Sequence, residues 1–186
     1  MDYPQYTNII QICFLPDNEM KTPNEMFDSV NNNHGVINKT VLLNESEWEK
    51  VMDCYISECI KNKQIPILHL DMHGDEKGFG KDTLDLIGWD RLIDKIADLN
   101  RACNGQLFLS LNVCKGLQIY SNIVNNNNIS LQTIGSNEMV NANDGKKRFL
   151  KLYSEYFIGK DMNNAIKAFF DEPKLYPQHG NFELKY

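Results

Sequence analysis

The 186-residue sequence predicts an α/β fold with a mostly parallel central sheet flanked by helices. Three observations point there. Short apolar runs, each the length of one strand, recur along the chain. Stretches with helical periodicity fall between them. The connections are short, and the chain carries no internal repeat and no linker, so a single domain over residues 1–186 is expected.

Taken in order, Thr7–Phe14 is rich in Ile and Cys, stops before Pro16, and reads as a first strand. Pro16–Asn33 is polar, has two prolines and a run of Asn, and reads as a long loop with at most one helical turn. Val36–Leu43 reads as a second strand. Ser46 and Glu49 have the spacing of a capping box, ahead of a helix whose Trp48, Val51, Met52, Tyr55, Ile56 and Ile60 form one stripe. Ile65–Asp71 suits an interior strand buried on both faces. The Gly-rich stretch Gly74–Gly80 and then Thr83–Ile87 suggest a small hairpin. Trp89 to Leu99 reads as an amphipathic helix, with Gly105 just past its end. Leu107–Asn112 is another apolar strand, Gly116–Val124 a helix, Asn125–Asn128 a polar turn and Ile129–Ile134 a strand. Asp144 and Asp161 stand where they could cap two closing helices. Pro173 ends the second of these, and the tail to Tyr186 could add an edge strand.

Hydrophobic residues make up 42% and charged residues 24%, which is the balance of a globular domain rather than a disordered chain. The net charge of -6 argues against a nucleic-acid partner, because phosphate binding requires clustered cations. Lys146, Lys147 and Arg148 are too short a run to change this and read as the solvated face of a helix start. No apolar run approaches the roughly 18 residues of a membrane span, so no membrane contact is expected. The opening residues lack the pattern of a signal peptide, and a cytoplasmic location is the expectation. Five cysteines, an odd number with no C-x-x-C pair, indicate neither a disulfide framework nor a zinc knuckle.

Ligand sites in parallel sheets lie beyond the carboxyl ends of the strands. His73 follows the strand read to Asp71, and Cys114 follows the strand read to Asn112. One crossover helix separates the two strands, so neighbouring positions in the sheet are expected. That would put a thiol and an imidazole on one rim. A thiolate attacks carbonyls, a nearby imidazolium favours the thiolate, and the imidazole can protonate the leaving amine. The N–H groups of Gly74 and Cys114 could together stabilise an oxyanion, and Gly116 would let the chain turn tightly after the nucleophile. A different reading takes His69, Asp71, His73 and Asp75 as ligands of a divalent metal, with His34 and His179 the only further histidines. More simply, His69 and Asp71 are hydrogen-bonded residues of the sheet tip, with Asp71 helping to position the site.

The stretch Leu68–Gly80 resembles the strand of caspase-type peptidases that ends in His-Gly and an acidic residue. Leu107–Gly116 resembles their second signature, an apolar strand ending in Cys followed shortly by Gly; Asn112–Gly116 matches the pattern Q-A-C-[RQG]-G only loosely. The closer resemblance is to the CHAT branch of that clan, common in bacteria and related to separase. Leu86–Leu99 looks like the helix between the catalytic strands, Thr133–Asn143 like the following strand and loop, and Arg148–Phe170 like paired closing helices around Gly159. The likeness spans roughly residues 65–171. It implies a caspase-hemoglobinase-like three-layer sandwich and peptide hydrolysis by a His73–Cys114 dyad, with Gly74 and Cys114 forming the oxyanion hole. It also implies no metal or organic cofactor, a protein or peptide substrate, and an activating ligand or partner protein. Small relatives of this type serve as effectors in antiviral defence or regulated cell death.

In CHAT and separase-like members an acid in the loop after the third motif strand selects a basic residue before the cut. Ala142 stands at that place, and Asp71, Glu138 and Asp144 are the other candidates for lining the substrate pocket. No long cleavable linker follows Cys114, so one uncleaved chain is expected. Besides the active peptidase, two readings remain open: a catalytically silent binding or sensor module on the same fold, and the metal-dependent hydrolase.

Overall fold

The computed structural model describes residues 3–82, 84–127, 131–175 and 180–186. Thr83, Asn128, Ile129 and His179, to which sequence expectations were attached, lie outside the described residues.

Eight strands and six helices are described. They are β1 Asn8–Phe14, α1 Lys21–His34, β2 Ile37–Val41, α2 Trp48–Asn62, β3 Pro66–Gly74, β4 Gly78–Gly80, β5 Leu86–Gly88, α3 Trp89–Ala102, β6 Phe108–Asn112, α4 Gln118–Asn127, β7 Gln132–Gly135, α5 Ala142–Gly159, α6 Met162–Asp171 and β8 Glu183–Lys185. The main path of the sheet runs β2-β1-β3-β6-β7-β8. Every pairing along it is parallel except the last, where β8 runs against β7. β4 and β5 form an antiparallel hairpin hung on the end of β3.

The apolar runs become central strands because they are covered on both faces. All residues of β1 and β6 are buried. Ile10, Ile12, Leu68, Leu70, Leu109 and Leu111 point to one side, where α2, α3 and α4 pack on them. Ile9, Ile67, Phe108 and Ile134 point to the other, under α1, α5 and α6. Helices thus cover both faces of a mostly parallel sheet, an arrangement compatible with a three-layer sandwich.

Several local expectations are corrected. The segment read as a loop, 16–33, is a single turn of 3-10 helix at Asp17–Glu19 followed by the fourteen-residue α1. Pro23 is the third residue of α1, where no intrahelical bond needs its missing N–H, and Pro23, Met26 and Val30 form a buried stripe. Gly35, at φ 63°, ends the helix in the left-handed conformation and donates to the Asn31 carbonyl. β3 runs on to Gly74, so His73 is its penultimate residue rather than part of the loop after it. The capping box does not form: Asn44 accepts from the Ser46 N–H one turn earlier, and Glu49 pairs with Arg91 of α3. The polar turn placed at Asn125–Asn128 begins inside α4. Asn141, not Asp144, caps α5, accepting from the N–H groups of Asn143 and Asp144. Arg148 is not solvated; it is buried and donates to the Phe169 carbonyl, joining α5 to α6. Asp161 does cap α6, and the tail does supply an edge strand.

Candidate active site

β3 and β6 lie side by side, with Ile67 through Asp71 opposite Phe108 through Asn112. Extending that register by two residues sets His73 beside Cys114, although the chain has already left the sheet at Val113. Both residues line one cavity of about 640 Å³ at the carboxyl ends of the strands. Its walls also include Glu19, Lys21 and Glu25 from the β1–α1 segment, and Val140, Ala142 and Lys146 from the approach to α5.

The turn bearing Cys114 is tightly built. Lys115 takes a left-handed backbone at φ 56°, a strained choice for a residue with a side chain. Gly116 does not supply the left-handed step; its role is space, since a Cβ there would sit 3.0 Å from the Val113 carbonyl oxygen. The Lys115 N–H donates to the Glu138 carbonyl and the Leu117 N–H to that of Ser136, so the turn is tied to the exit of β7. The Cys114 N–H has no protein acceptor among the described residues. Its thiol points toward the Val140 carbonyl at 3.9 Å, and His73 Nε2 lies 3.0 Å from Glu19 Oε2. Thiol and imidazole therefore share the cavity, but no hydrogen bond joins them among the described residues.

The other thiols differ. Cys13, Cys59 and Cys103 are buried and Cys54 is exposed, leaving Cys114 as the partly accessible one at a cavity. Burial, reinforced by the Asp71 charge, pushes the Cys13 thiol well up, away from the reactive form. A contact with Cys59, together with burial, does the same to Cys103.

Beneath the cavity floor lies a polar network. Asp71, 1% exposed, accepts from Gln11 Nε2 at 2.8 Å and from Asn112 Nδ2 at 2.9 Å. His69 Nε2 is 3.2 Å from Asp71 Oδ2 but off the line of a hydrogen bond. Burial alone would raise the Asp71 pKa; the His69 ring and the donors Gln11 and Asn112 outweigh it and hold the carboxyl below its usual range. His69 Nδ1 lies 2.7 Å from the Tyr153 hydroxyl and 3.0 Å from Ser110 Oγ, and Ser110 and Tyr153 are 2.7 Å apart. The network thus ties α5 to the two strands that end at the cavity.

The sequence-derived pocket residues separate accordingly. Ala142 lines the cavity, and Asp71 contributes to its floor from an enclosed position. Glu138 is exposed and contributes backbone bonds to the Cys114 turn, outside the cavity wall. Asp144 is buried, and its Oδ1 accepts from the Leu175 N–H. The acids missed in the sequence, Glu19 and Glu25, come from the segment read as a loop. Glu25 is hydrogen-bonded by the Lys146 ammonium, which lowers its pKa.

The residues of the metal reading take other partners in the structure. Asp75 accepts from the N–H groups of Lys77 and Gly78 in its own turn, while His69 and Asp71 are enclosed by the partners above. Among the described residues no group of three or more His, Cys, Asp or Glu side chains is placed to hold a metal ion. No helix among them is long and apolar enough to cross a membrane. No family model matches the chain, and no curated protein matches it in sequence.

Proposed function

We propose that the chain is a caspase-like cysteine endopeptidase working through Cys114 and His73. The observation that carries this reading is the placement of the two residues at the ends of adjacent parallel strands, on one cavity. The order of the sheet, five parallel strands closed by an antiparallel sixth, is consistent with the caspase-hemoglobinase-like fold that the motifs imply.

In this reading the Cys114 Sγ, as thiolate, adds to the scissile carbonyl carbon while the carbonyl oxygen takes up the negative charge. The unpaired Cys114 N–H is suited to that oxygen, with the Gly74 backbone as second donor. As the tetrahedral adduct collapses, the C–N bond breaks and His73 gives its proton to the departing amine. Water, deprotonated by His73, then attacks the thioester, releasing the acid and restoring the thiol. Thiol and ring approach each other when substrate fills the cavity, because catalytic hydrogen bonds tighten on binding. No step requires a metal or organic cofactor. The partners in this reading are a polypeptide substrate and an activating ligand or protein, with a role in antiviral defence or regulated cell death.

Digestion of an unfolded protein substrate, read by mass spectrometry, tests the proposal. Cleavage by the wild-type chain that is lost in Cys114→Ala and His73→Ala, and kept in Cys54→Ala, supports it. Cleavage that survives Cys114→Ala, or that EDTA removes and zinc restores, refutes it.

A further inference from the structure

Two cavities meet at His73. The larger holds Cys114; the second, about 360 Å³, holds Gly74, Asp75, Lys81 and Asp82 on the hairpin side. Among the described residues only His73 and Glu19 line both, so this pair is the partition between them. The His73 side chain is 45% exposed and that of Glu19 43%. A ring so open to solvent has little packing to select one rotamer. Among the described residues its one charged contact is Glu19, with Nε2 3.0 Å from Oε2. Asp75, Lys81 and Asp82 also line the smaller cavity and Lys21, Glu25 and Lys146 the larger, a mixture of both signs. Asp71, on the same face of β3, is enclosed by Gln11 and Asn112 below the floor.

We propose that Glu19 is the positioning residue of a Cys114–His73–Glu19 set, a role that rests on the peptidase reading above. A carboxylate on Nε2 keeps the proton there, so the neutral ring presents the lone pair of Nδ1 to the thiol. When Cys114 gives its proton to Nδ1, the imidazolium sits against Glu19, and the thiolate–imidazolium state is favoured. The backbone is suited to hold this residue still. The 3-10 turn Asp17–Glu19 is closed by the Glu19 N–H on the Pro16 carbonyl and runs directly into α1.

The test needs no knowledge of the natural substrate. Iodoacetamide alkylation of Cys114 is followed by mass spectrometry at pH 6 and pH 9, with exposed Cys54 of the same molecule as the internal standard. The wild-type Cys114/Cys54 rate ratio at pH 6 is expected to be at least tenfold. Glu19→Ala should lower that ratio about tenfold at pH 6 and change it less than about twofold at pH 9, above the ordinary thiol range, where a carboxylate partner for the imidazole matters least. Glu19→Gln, isosteric and still able to accept from Nε2, should fall between. A Glu19→Ala ratio equal to wild type at both pH values, or higher at pH 6, overturns the proposal; a rise would make the contact a restraint on the ring. A wild-type ratio near one at pH 6 overturns this inference, while the digestion of an unfolded protein substrate decides the peptidase reading separately.

Discussion

The Cys114 carbonyl faces the Cα of Gly74 so closely that a Cβ at residue 74 would lie 2.0 Å from its oxygen. Val113 Cγ1 would lie 2.8 Å away on the other side. Only a glycine lets the strand end that carries the imidazole rest on the turn that carries the thiol. Gly74→Ala is therefore expected to destabilise the protein by about 1–3 kcal/mol, the usual cost of overpacking. On the peptidase reading, Cys114 reactivity should fall further than stability accounts for. Urea unfolding and Cys114 alkylation, measured on the same sample, check both; a variant as stable and as reactive as wild type contradicts the packing described.

Asp71 links the site to acid stability. Its folded-state pKa is depressed, so it contributes stability above the unfolded carboxylate value of about 3.9, and that contribution is lost as pH falls through the folded value. Unfolding free energy should decline below about pH 4 more steeply in wild type than in Asp71→Asn. The variant should be less stable at pH 7, where the donors Gln11 and Asn112 lose a charged acceptor. Parallel pH profiles for the two proteins would remove Asp71 from this role.

Selectivity before the cut should be weak. On the peptidase reading, Ala142, which lines the cavity, takes the place of the acid that selects Arg or Lys, and the nearby carboxylates already have partners: Glu19 has His73, Glu25 has Lys146, Asp71 has Gln11 and Asn112. A charge-assisted hydrogen bond is worth about 1.5–3 kcal/mol, which corresponds to roughly ten- to a hundredfold in rate. Ala142→Asp, in the first turn of α5 where an acid is tolerated, should raise Arg or Lys preference by about tenfold or more. A positional peptide library checks this, and a preference above a hundredfold in wild type would show that Glu19, Glu25 or Asp71 selects the basic residue despite its partner.

Asn141 holds the first turn of α5, and with it the cavity wall at Ala142. Asn141→Ala should cost about 1 kcal/mol, the usual loss of an N-cap, and lower the melting temperature by a few degrees. An unchanged melting curve would show that the fold does not depend on the cap.

The central strands were legible because β3 and β6 are buried on both faces, which favours mostly apolar runs such as Ile67–Leu70, interrupted by His69, and Leu107–Leu109. His73, near the end of β3, and Cys114, just past β6, stand where those runs stop. α1 was not legible: its outward face is Asn-rich and its inward stripe is only Pro23, Met26 and Val30, so composition masked the period. Glu19 and Glu25 were lost with it. The caps misled for a related reason. Ser46 and Asp144 have the right chemistry, but Asn44 and Asn141 stand two and three residues earlier, where the backbone first turns. The solvated role assigned to Arg148 failed because burial by a later helix leaves no mark on the local sequence.

The cavity draws on four stretches of chain, within residues 15–25, 71–73, 112–114 and 139–146, each at or beyond the carboxyl end of a different strand. Parallel neighbours can meet only after the helix between them has closed its loop, so these stretches converge late and through distant pairings. Folding should be slow relative to helical domains of similar length. A chain arrested before β6 pairs with β3 holds an imidazole and a thiol with no geometry between them. On the peptidase reading, reactivity at Cys114 above that of an exposed thiol should therefore appear only once β6 has paired with β3.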